Sequence, residues 1–498
     1  MSNEKTFEKT NPWLYFHIAV GLFFMLGFPQ FGPFEPITET GMWMVGIFIG
    51  MVYLWSTVDS IWPSALGLTL VAVFSGYTGD ITGYAAVKKV WADALGQEAI
   101  VSIILSMILF AGVEYVGCTK YLARFFLTRK IISGKPYVFL FIIFFCSYFV
   151  GGFTSPLASL LILWPLGAET MREFGYQRND KVSWCTTFGI YLGATLGQPM
   201  FPFKGAPIGI LGAFKSVSGL SVNYSAYIAY NFIMSLIILV VYMLFLKVVI
   251  RPDVDKIKKV TPEQFKKNPL PPMNRQQAAF LLTALAYIVL LLLPNFAPAS
   301  NPFIQLLKTL NVIGVTTLCV VTLMLLRFEG KPILDFIGIA KKSFSWNIFF
   351  LVTAALYVCT AVSAPSTGVK EFLVMILQPL LGNKPDFVFV LLLLAFALIT
   401  TNFANNAGMA MVLMPIVMAF AEQYPGVPPT AICVSIGMMV FMAILTPAAS
   451  PYAGMLHAQK HLISFKEIQV LGLPMCTIAL LLYTFVGFPI AKILFATS

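Results

Sequence analysis

Two runs of small polar residues lie inside long uncharged stretches of this chain, and their side chains are the best suited to binding a ligand. The first is Gly151-Gly152-Phe153-Thr154-Ser155-Pro156, within Pro136 to Ala168. The second is Thr400-Thr401-Asn402-Phe403-Ala404-Asn405-Asn406, within Phe387 to Ala421. Asn405 and Asn406 read as an anion cradle. Their amides donate, and the helix that follows presents free N–H groups and a partial positive charge. The plainer alternative for Asn406 is a simple cap on helix 407–421. Thr154 and Ser155 offer hydroxyls to a cation or a carboxylate, against plain turn formation after the two glycines. Ser159, one turn beyond Ser155, can equally bond its own i−4 carbonyl.

Lys204 stands in a Pro/Gly-broken run, Gly197 to Pro207, inside an otherwise apolar span. A lysine at membrane depth faces the protein interior or a water-filled path, where it can neutralise a carboxylate or stand in for a coupling cation. The alternative is snorkelling to the outer interface. Glu114 is expected at the cytoplasmic interface rather than in a proton path, because it falls four residues before the end of its span. Ser363, Ser366 and Thr367 with Pro365 interrupt the span 346–369 and suit the wall of a path. His457 and His461 are spaced i, i+4 but lack a Glu-x-x-His pattern, so they read as interfacial histidines on a cytoplasmic loop. The seven cysteines are scattered through apolar segments without metal-ligand spacing. No transition-metal site and no cofactor are expected. Without a clustered nucleophile, base and acid, an enzyme is not expected either.

The elements that must hold these residues are membrane helices. Apolar residues make up 58% of the chain and charged residues 11%. A soluble protein of that composition would have almost no surface to offer water. The uncharged stretches of 33 and 35 residues would each reach roughly 50 Å as single helices, against a hydrocarbon core of about 30 Å. Each is better read as two short helices meeting at a polar tip, a re-entrant hairpin whose exposed backbone lines a cavity or binds something. The remaining spans are expected near 13–30, 40–58, 61–77, 98–119, 182–214, 226–249, 277–296, 304–326, 346–369, 430–451 and 467–495. The fold class is thus an all-α polytopic membrane protein of about eleven transmembrane helices plus two opposed re-entrant hairpins, 136–171 and 386–422.

Charge sets the orientation. The net charge of +11 comes largely from loops such as Arg251 to Arg275, with seven basic residues, and Lys120 to Lys135, with five. Both belong in the cytoplasm, and this charge is no signal for nucleic acid. The count then puts the N-terminus inside and the C-terminus outside, with no signal peptide in the polar stretch Met1 to Thr10 and a retained first helix from about Trp13. The halves also match in order. Ser155 and Asn405 are 250 residues apart, as are Pro165 and Pro415, and Lys88-Lys89 precede Lys341-Lys342 by 253. Units with an odd number of spans make such repeats inverted. The expected organisation is a first helix in 1–38, a first repeat over 39–250, a basic linker 251–276 and a second repeat over 277–498.

On these residues the chain resembles the divalent-anion/sodium symporter family, carriers of dicarboxylates, citrate or sulfate, over roughly residues 40–495. That family carries Ser-Asn-Thr at each hairpin tip, which falls here on Ser155-Pro156-Leu157 and Asn405-Asn406-Ala407. Its Gly-Thr-Pro-Pro-Asn turns fall on Gly205 to Gly209 and Ala449 to Ala453. Ser155, Asn406, Gly205, Pro207 and Pro451 match outright; Pro156 and Leu157 depart, having no side-chain donor. The family motifs make Ser155, Asn405, Asn406, Pro207 and Pro451 substrate-binding candidates, to which residue type and position in the chain add Thr154 and Lys204. The resemblance implies cation binding by Ser155, Gly205, Asn406, Thr446 and Ser450. The function implied is cation-coupled symport of a small organic anion, a di- or tricarboxylate, by elevator-type alternating access, with Na+ as the coupling ion. A homodimer in a bacterial cytoplasmic membrane is implied as well. Alternatives are an anion exchanger, a proton-coupled (H+) carrier of a different anion or, from another class, an ion channel.

Overall fold

The first N–H groups of a helix have no partner within it, and several of the long helices here begin on side chains that supply one. Thr38, Asn223, Asn301 and Ser345 each accept from the first turn of the helix they precede. Asn274 and Ser464 form full capping boxes with Gln277 and Glu467. The computed structural model describes residues 12–259, 270–298 and 300–496. The polar N-terminal stretch 1–11, residues 260–269 of the basic linker and the last two residues lie outside the described residues.

After α1 (Pro12–Leu22) come α2 (Glu39–Thr57), α3 (Ile61–Phe74), α4 (Gly83–Leu95), α5 (Glu98–Tyr115) and α6 (Thr119–Leu127). Next are α7 (Pro136–Phe153), α8 (Pro156–Glu173), α9 (Lys181–Gly197), α10 (Ala206–Ser218) and α11 (Tyr224–Phe245). The second half runs α12 (Arg275–Leu292), α13 (Pro302–Leu325), a two-residue hairpin of β1 (Arg327–Phe328) with β2 (Lys331–Pro332), then α14 (Phe336–Lys342) and α15 (Trp346–Val362). It closes with α16 (Val369–Leu381), α17 (Asp386–Thr401), α18 (Asn406–Phe420), α19 (Pro429–Met439), α20 (Pro451–Ala458), α21 (Phe465–Leu482) and α22 (Phe488–Leu494).

Among the described residues nine helices are long and apolar enough to cross a membrane, or up to eleven if two sharply bent pairs each count as one span. Those pairs are α14 with α15, bent by 82°, and α16 with α17, bent by 111°. Both expected hairpins are present as helices doubled back on themselves. Phe139 and Phe174, at the two open ends of the first, lie 6.3 Å apart, and Phe389 stacks on Tyr424 at 3.9 Å in the second. These pairs too are 250 residues apart, and the ten helices from α2 to α11 recur in order as α12 to α21.

Two expected spans are not continuous helices. The stretch 182–214 is divided at 198–205, and 430–451 unwinds after α19. Pro199, Pro202 and Gly205 interrupt the first and Pro447 the second, removing N–H donors or favouring non-helical backbone. Four short helices, α4, α6, α14 and α16, occupy stretches expected to be loops or span ends. They are too short or too polar to read as spans, and α6 and α16 lie against the hairpins, on α7 and α18 respectively.

Helix α9 is the axis of the hairpin-bearing part, with fifteen of its seventeen residues buried. Its glycines at 189, 193 and 197 form one small-residue stripe against α7. A Cβ at Gly193 would stand 2.2 Å from the Phe144 carbonyl oxygen, and one at Gly197 would stand 2.1 Å from that of Tyr148. The first hairpin is thereby fixed to α9, and with it the break that follows. Contacts sort the helices into two groups. Helices α7 to α9, α11 and α17 to α22 pack together, as do α2 to α5 with α12 to α15. Helices α10 and α18 carry the main seam, lying on each other and on α15. Gly197→Ala should cost about 1–3 kcal/mol of stability by overpacking, seen as a lower Tm in detergent. Gly437→Ala, whose methyl meets its first neighbour at 3.5 Å, should be neutral.

Candidate functional site

Each hairpin tip is held against the helix break of its own half. At the first tip, Ser155 is the N-cap of α8, its Oγ accepting from the Ala158 N–H at 3.1 Å, with Pro156 in the first turn where its missing N–H costs nothing. The same hydroxyl donates to Glu114 Oε2 at 2.8 Å. Glu114 is thereby brought to the tip of the first hairpin, a contact that its position in the sequence did not reveal. It occupies the last turn of α5, and its side chain is long enough to bridge to the hairpin. Thr154 is only 3% exposed, and its hydroxyl donates back to the Val150 carbonyl at 2.7 Å, so its side chain is not offered to a ligand. Ser159 bonds across the hairpin to Ser147 Oγ at 2.9 Å instead of to its own helix.

Lys204 turns inward rather than to the outer interface. Its ammonium donates to the Gly152 carbonyl at 2.7 Å and to the Thr154 carbonyl, and lies 4.9 Å from the centre of the Phe110 ring. Phe110, Phe201 and Phe203 stack beside it, with centroids 5.5–6.5 Å apart. The Glu114 carboxylate is within electrostatic range of this ammonium and of Tyr452 in the first turn of α20. Gly205 takes φ +59°, a conformation that favours glycine, and turns the chain into α10, whose first turn holds the buried Pro207.

At the second tip the asparagines divide their tasks. Asn405, not Asn406, caps α18, its Oδ1 accepting from the Gly408 N–H at 3.1 Å. Asn406 is the first helical residue, 9% exposed, and its side-chain amide lies 3.1 Å from the Thr401 hydroxyl oxygen, whose single proton goes to the Val440 carbonyl at 2.6 Å. Asn402, which sequence reasoning did not single out, is the centre of this tip. Its Oδ1 accepts from the Ile444 and Leu445 N–H groups at 2.9 and 2.7 Å, its Nδ2 donates to the Leu398 carbonyl at 2.8 Å, and its own carbonyl accepts the Thr446 hydroxyl. Its place in the polar run 400–406 was the available signal.

The unwound segment after α19 shows why these residues are needed. Five of its carbonyls are met by side chains: Val440 by Thr401, Met442 by Asn402, Ala443 by Tyr191, Ile444 by His457 and Leu445 by Gln469. His457 thus belongs to α20 and to this break, not to a loop. Ser450 caps α20 through the Ala453 N–H at 3.0 Å, and Pro451 follows it, exposed. The polar residues 363–367 are not brought to the tips. Thr38 donates through its hydroxyl to the Ser366 carbonyl at 2.8 Å and through its N–H to that of Thr367 at 3.0 Å, joining this break to the start of α2. Two cavities, of about 780 and 550 Å³, lie away from the tips, the larger beside the Lys215–Glu98 ion pair. Among the described residues no group of three or more His, Cys, Asp or Glu could hold a metal.

Removing a cap and removing a ligand group should differ. Asn405→Ala should lower stability by about 1 kcal/mol through loss of the N-cap. Asn406→Ala, which leaves that cap intact, should lower it less; thermal unfolding of the two purified variants is the check.

The comparisons with known proteins point one way. An uncharacterised transporter of Haemophilus influenzae is 21% identical over 446 residues, covering 88% of each chain. The L-tartrate/succinate antiporter of Escherichia coli K12 is 29% identical over 133 residues, 26% of each chain. In fold, the chain is similar to the MtrF structure of Neisseria gonorrhoeae, with a TM-score of 0.60 at 13% identity over 96% of this chain and 98% of that one. It is also similar to the YdaH transporter of Alcanivorax borkumensis, with a TM-score of 0.52 at 14% identity over 92% and 98%. All are transporters or pumps, which agrees with a function other than catalysis. The sodium:sulfate symporter transmembrane region matches residues 169–497, more than half of the sequence, and this integral membrane protein belongs to that family.

Proposed function

We propose that this protein is a secondary active transporter that carries a small organic anion, a di- or tricarboxylate, in symport with a cation by elevator-type displacement. The observation that supports it most directly is the second hairpin tip. There a buried helix N-terminus and the Asn406 side-chain amide stand at the same break. Free N–H groups and the helix dipole favour an anion at such a place. The first tip is less suited, since Ser155 already donates to the Glu114 carboxylate. In this reading the anion rests mainly on Asn406, Asn405 and the N-terminus of α20 at Ser450 and Pro451. Pro207 lies on the opposite wall.

The division of helices supports the elevator. The group bearing both hairpins meets the other group along α10, α18 and α15, with α6 and α16 reaching the hairpins from outside. The matched order of α2–α11 and α12–α21 supports two inverted repeats, N-terminus inside and C-terminus outside, with a homodimer in a bacterial cytoplasmic membrane anchoring the fixed group. Thr446, Ser450 and Asn406 in the second half are the cation candidates, Na+ being the ion the family description suggests; beside Ser155 and Gly205 in the first half the Lys204 ammonium already stands. A second reading, obligate exchange, is favoured by the partial relative that is a tartrate/succinate antiporter and by the ammonium already seated at the first tip.

Uptake of dicarboxylates, citrate and sulfate into proteoliposomes under an inward sodium gradient tests the main reading. Accumulation of none of them would overturn the substrate class, and accumulation driven by protons alone would overturn the coupling ion. Counterflow with no ion gradient would mark the exchanger. For the anion so identified, Asn406→Ala removes a charge-assisted hydrogen bond of about 1.5–3 kcal/mol, so direct binding should weaken roughly 10–150-fold.

A further inference from the structure

We propose that the Lys204 ammonium is a built-in cation at the end of α7, occupying the place of an exchangeable cation in the first half, so that any exchangeable cation is left to the second half. This deepens the transport reading above and depends on it for its meaning, though not for its test.

The last carbonyls of a helix have no partner within it and form the negative end of its dipole. Where a helix is broken at membrane depth, such ends are where cations are held. The end of α7 takes the Lys204 ammonium on the Gly152 and Thr154 carbonyls. Two more oxygen groups stand at the same tip, the Ser155 hydroxyl and the Glu114 carboxylate 2.8 Å from it. The break also holds the Gln198 side-chain oxygen, buried without a hydrogen-bond partner among the described residues. Carbonyl, hydroxyl and carboxylate oxygens are the donor set of a hard cation, and here an ammonium stands among them. The Phe110 ring closes one side.

The second half supplies an internal comparison. At the offset of 250 residues Asn402 corresponds to Gly152, and its carbonyl accepts a neutral hydroxyl, that of Thr446. The two halves thus present the same helix end to different partners, one charged and tethered, the other uncharged. Lys204 cannot dissociate with a transported ion, because the chain carries it straight through Gly205 into α10. Removing it would leave the two carbonyls and the Glu114 carboxylate without a positive charge, and a cation from solution should then bind.

The test needs no transported anion. Purified full-length protein is melted in choline chloride and then titrated with sodium chloride or methylammonium chloride. Lys204→Ala should melt lower than wild type in choline. It should recover saturably with sodium or methylammonium, by about 3 °C or more. Wild type should show no methylammonium response, and Lys204→Arg, which keeps the charge, should gain none. Lys204→Ala/Glu114→Gln should lose most of the recovery. If Lys204→Ala does not fold, Lys204→Gln carries the same comparison. A Lys204→Ala variant that answers each salt as wild type does, or an arginine variant that gains the response, would overturn the proposal. Failure to accumulate any anion bears on the transport reading alone and leaves this titration readable.

Discussion

Backbone polar groups freed at membrane depth must find partners inside the protein, and that constraint organises this structure. Four helices start at breaks in apolar surroundings: α8, α10, α18 and α20. Three of them begin on a capping side chain, Ser155, Asn405 and Ser450. The fourth begins on Gly205, whose positive φ makes the turn itself. The carbonyl ends are treated in the same way, by Lys204 at one tip and by a set of hydroxyl, amide and imidazole groups around 440–445 at the other. The three caps are local, but the groups that meet the freed carbonyls come from other parts of the chain, so the breaks depend on the surrounding helices being in place.

The glycine stripe of α9 gives that arrangement its rigidity. Contact between the backbones of α7 and α9 leaves no room for rotation of the first hairpin, and Tyr191 on the same helix reaches the Ala443 carbonyl of the second break at 2.6 Å. One helix therefore ties a hairpin of the first half to the unwound segment of the second. Both hairpins then belong to a single packed group, as a unit that shifts as a body requires. The Arg178–Glu467 pair at 3.0 Å ties the two halves together again at the helix ends.

Charge is distributed unevenly between the two tips. The first brings together Lys204 and Glu114, while the second is built, among the described residues, by hydroxyl, amide and imidazole groups without a carboxylate or an ammonium. A helix N-terminus next to a carboxylate is a poor anion site, and one next to neutral donors is a better one. The resemblance of the halves in backbone thus does not extend to their chemistry, and the family's paired tip motifs are here two different devices.

Much of the architecture was legible in the sequence, because hydrophobic length and helix-breaking residues act locally. Uncharged stretches too long for one span, polar residues at their centres and the 250-residue offset all point to doubled helices in two matched halves. The run Gln198 to Pro207 likewise advertises a break. What could not be read were contacts made across the chain. Nothing local tells that Glu114 reaches Ser155, forty-one residues away, or that the carbonyls beside Asn402 are served by Tyr191, His457 and Gln469. The choice between Asn405 and Asn406 as cap rests on backbone angles that adjacent asparagines do not reveal. The inward turn of Lys204 rests on where α7 ends relative to the break. Composition and periodicity determine which segments are helices; only the packing of those helices decides which freed carbonyl meets which side chain.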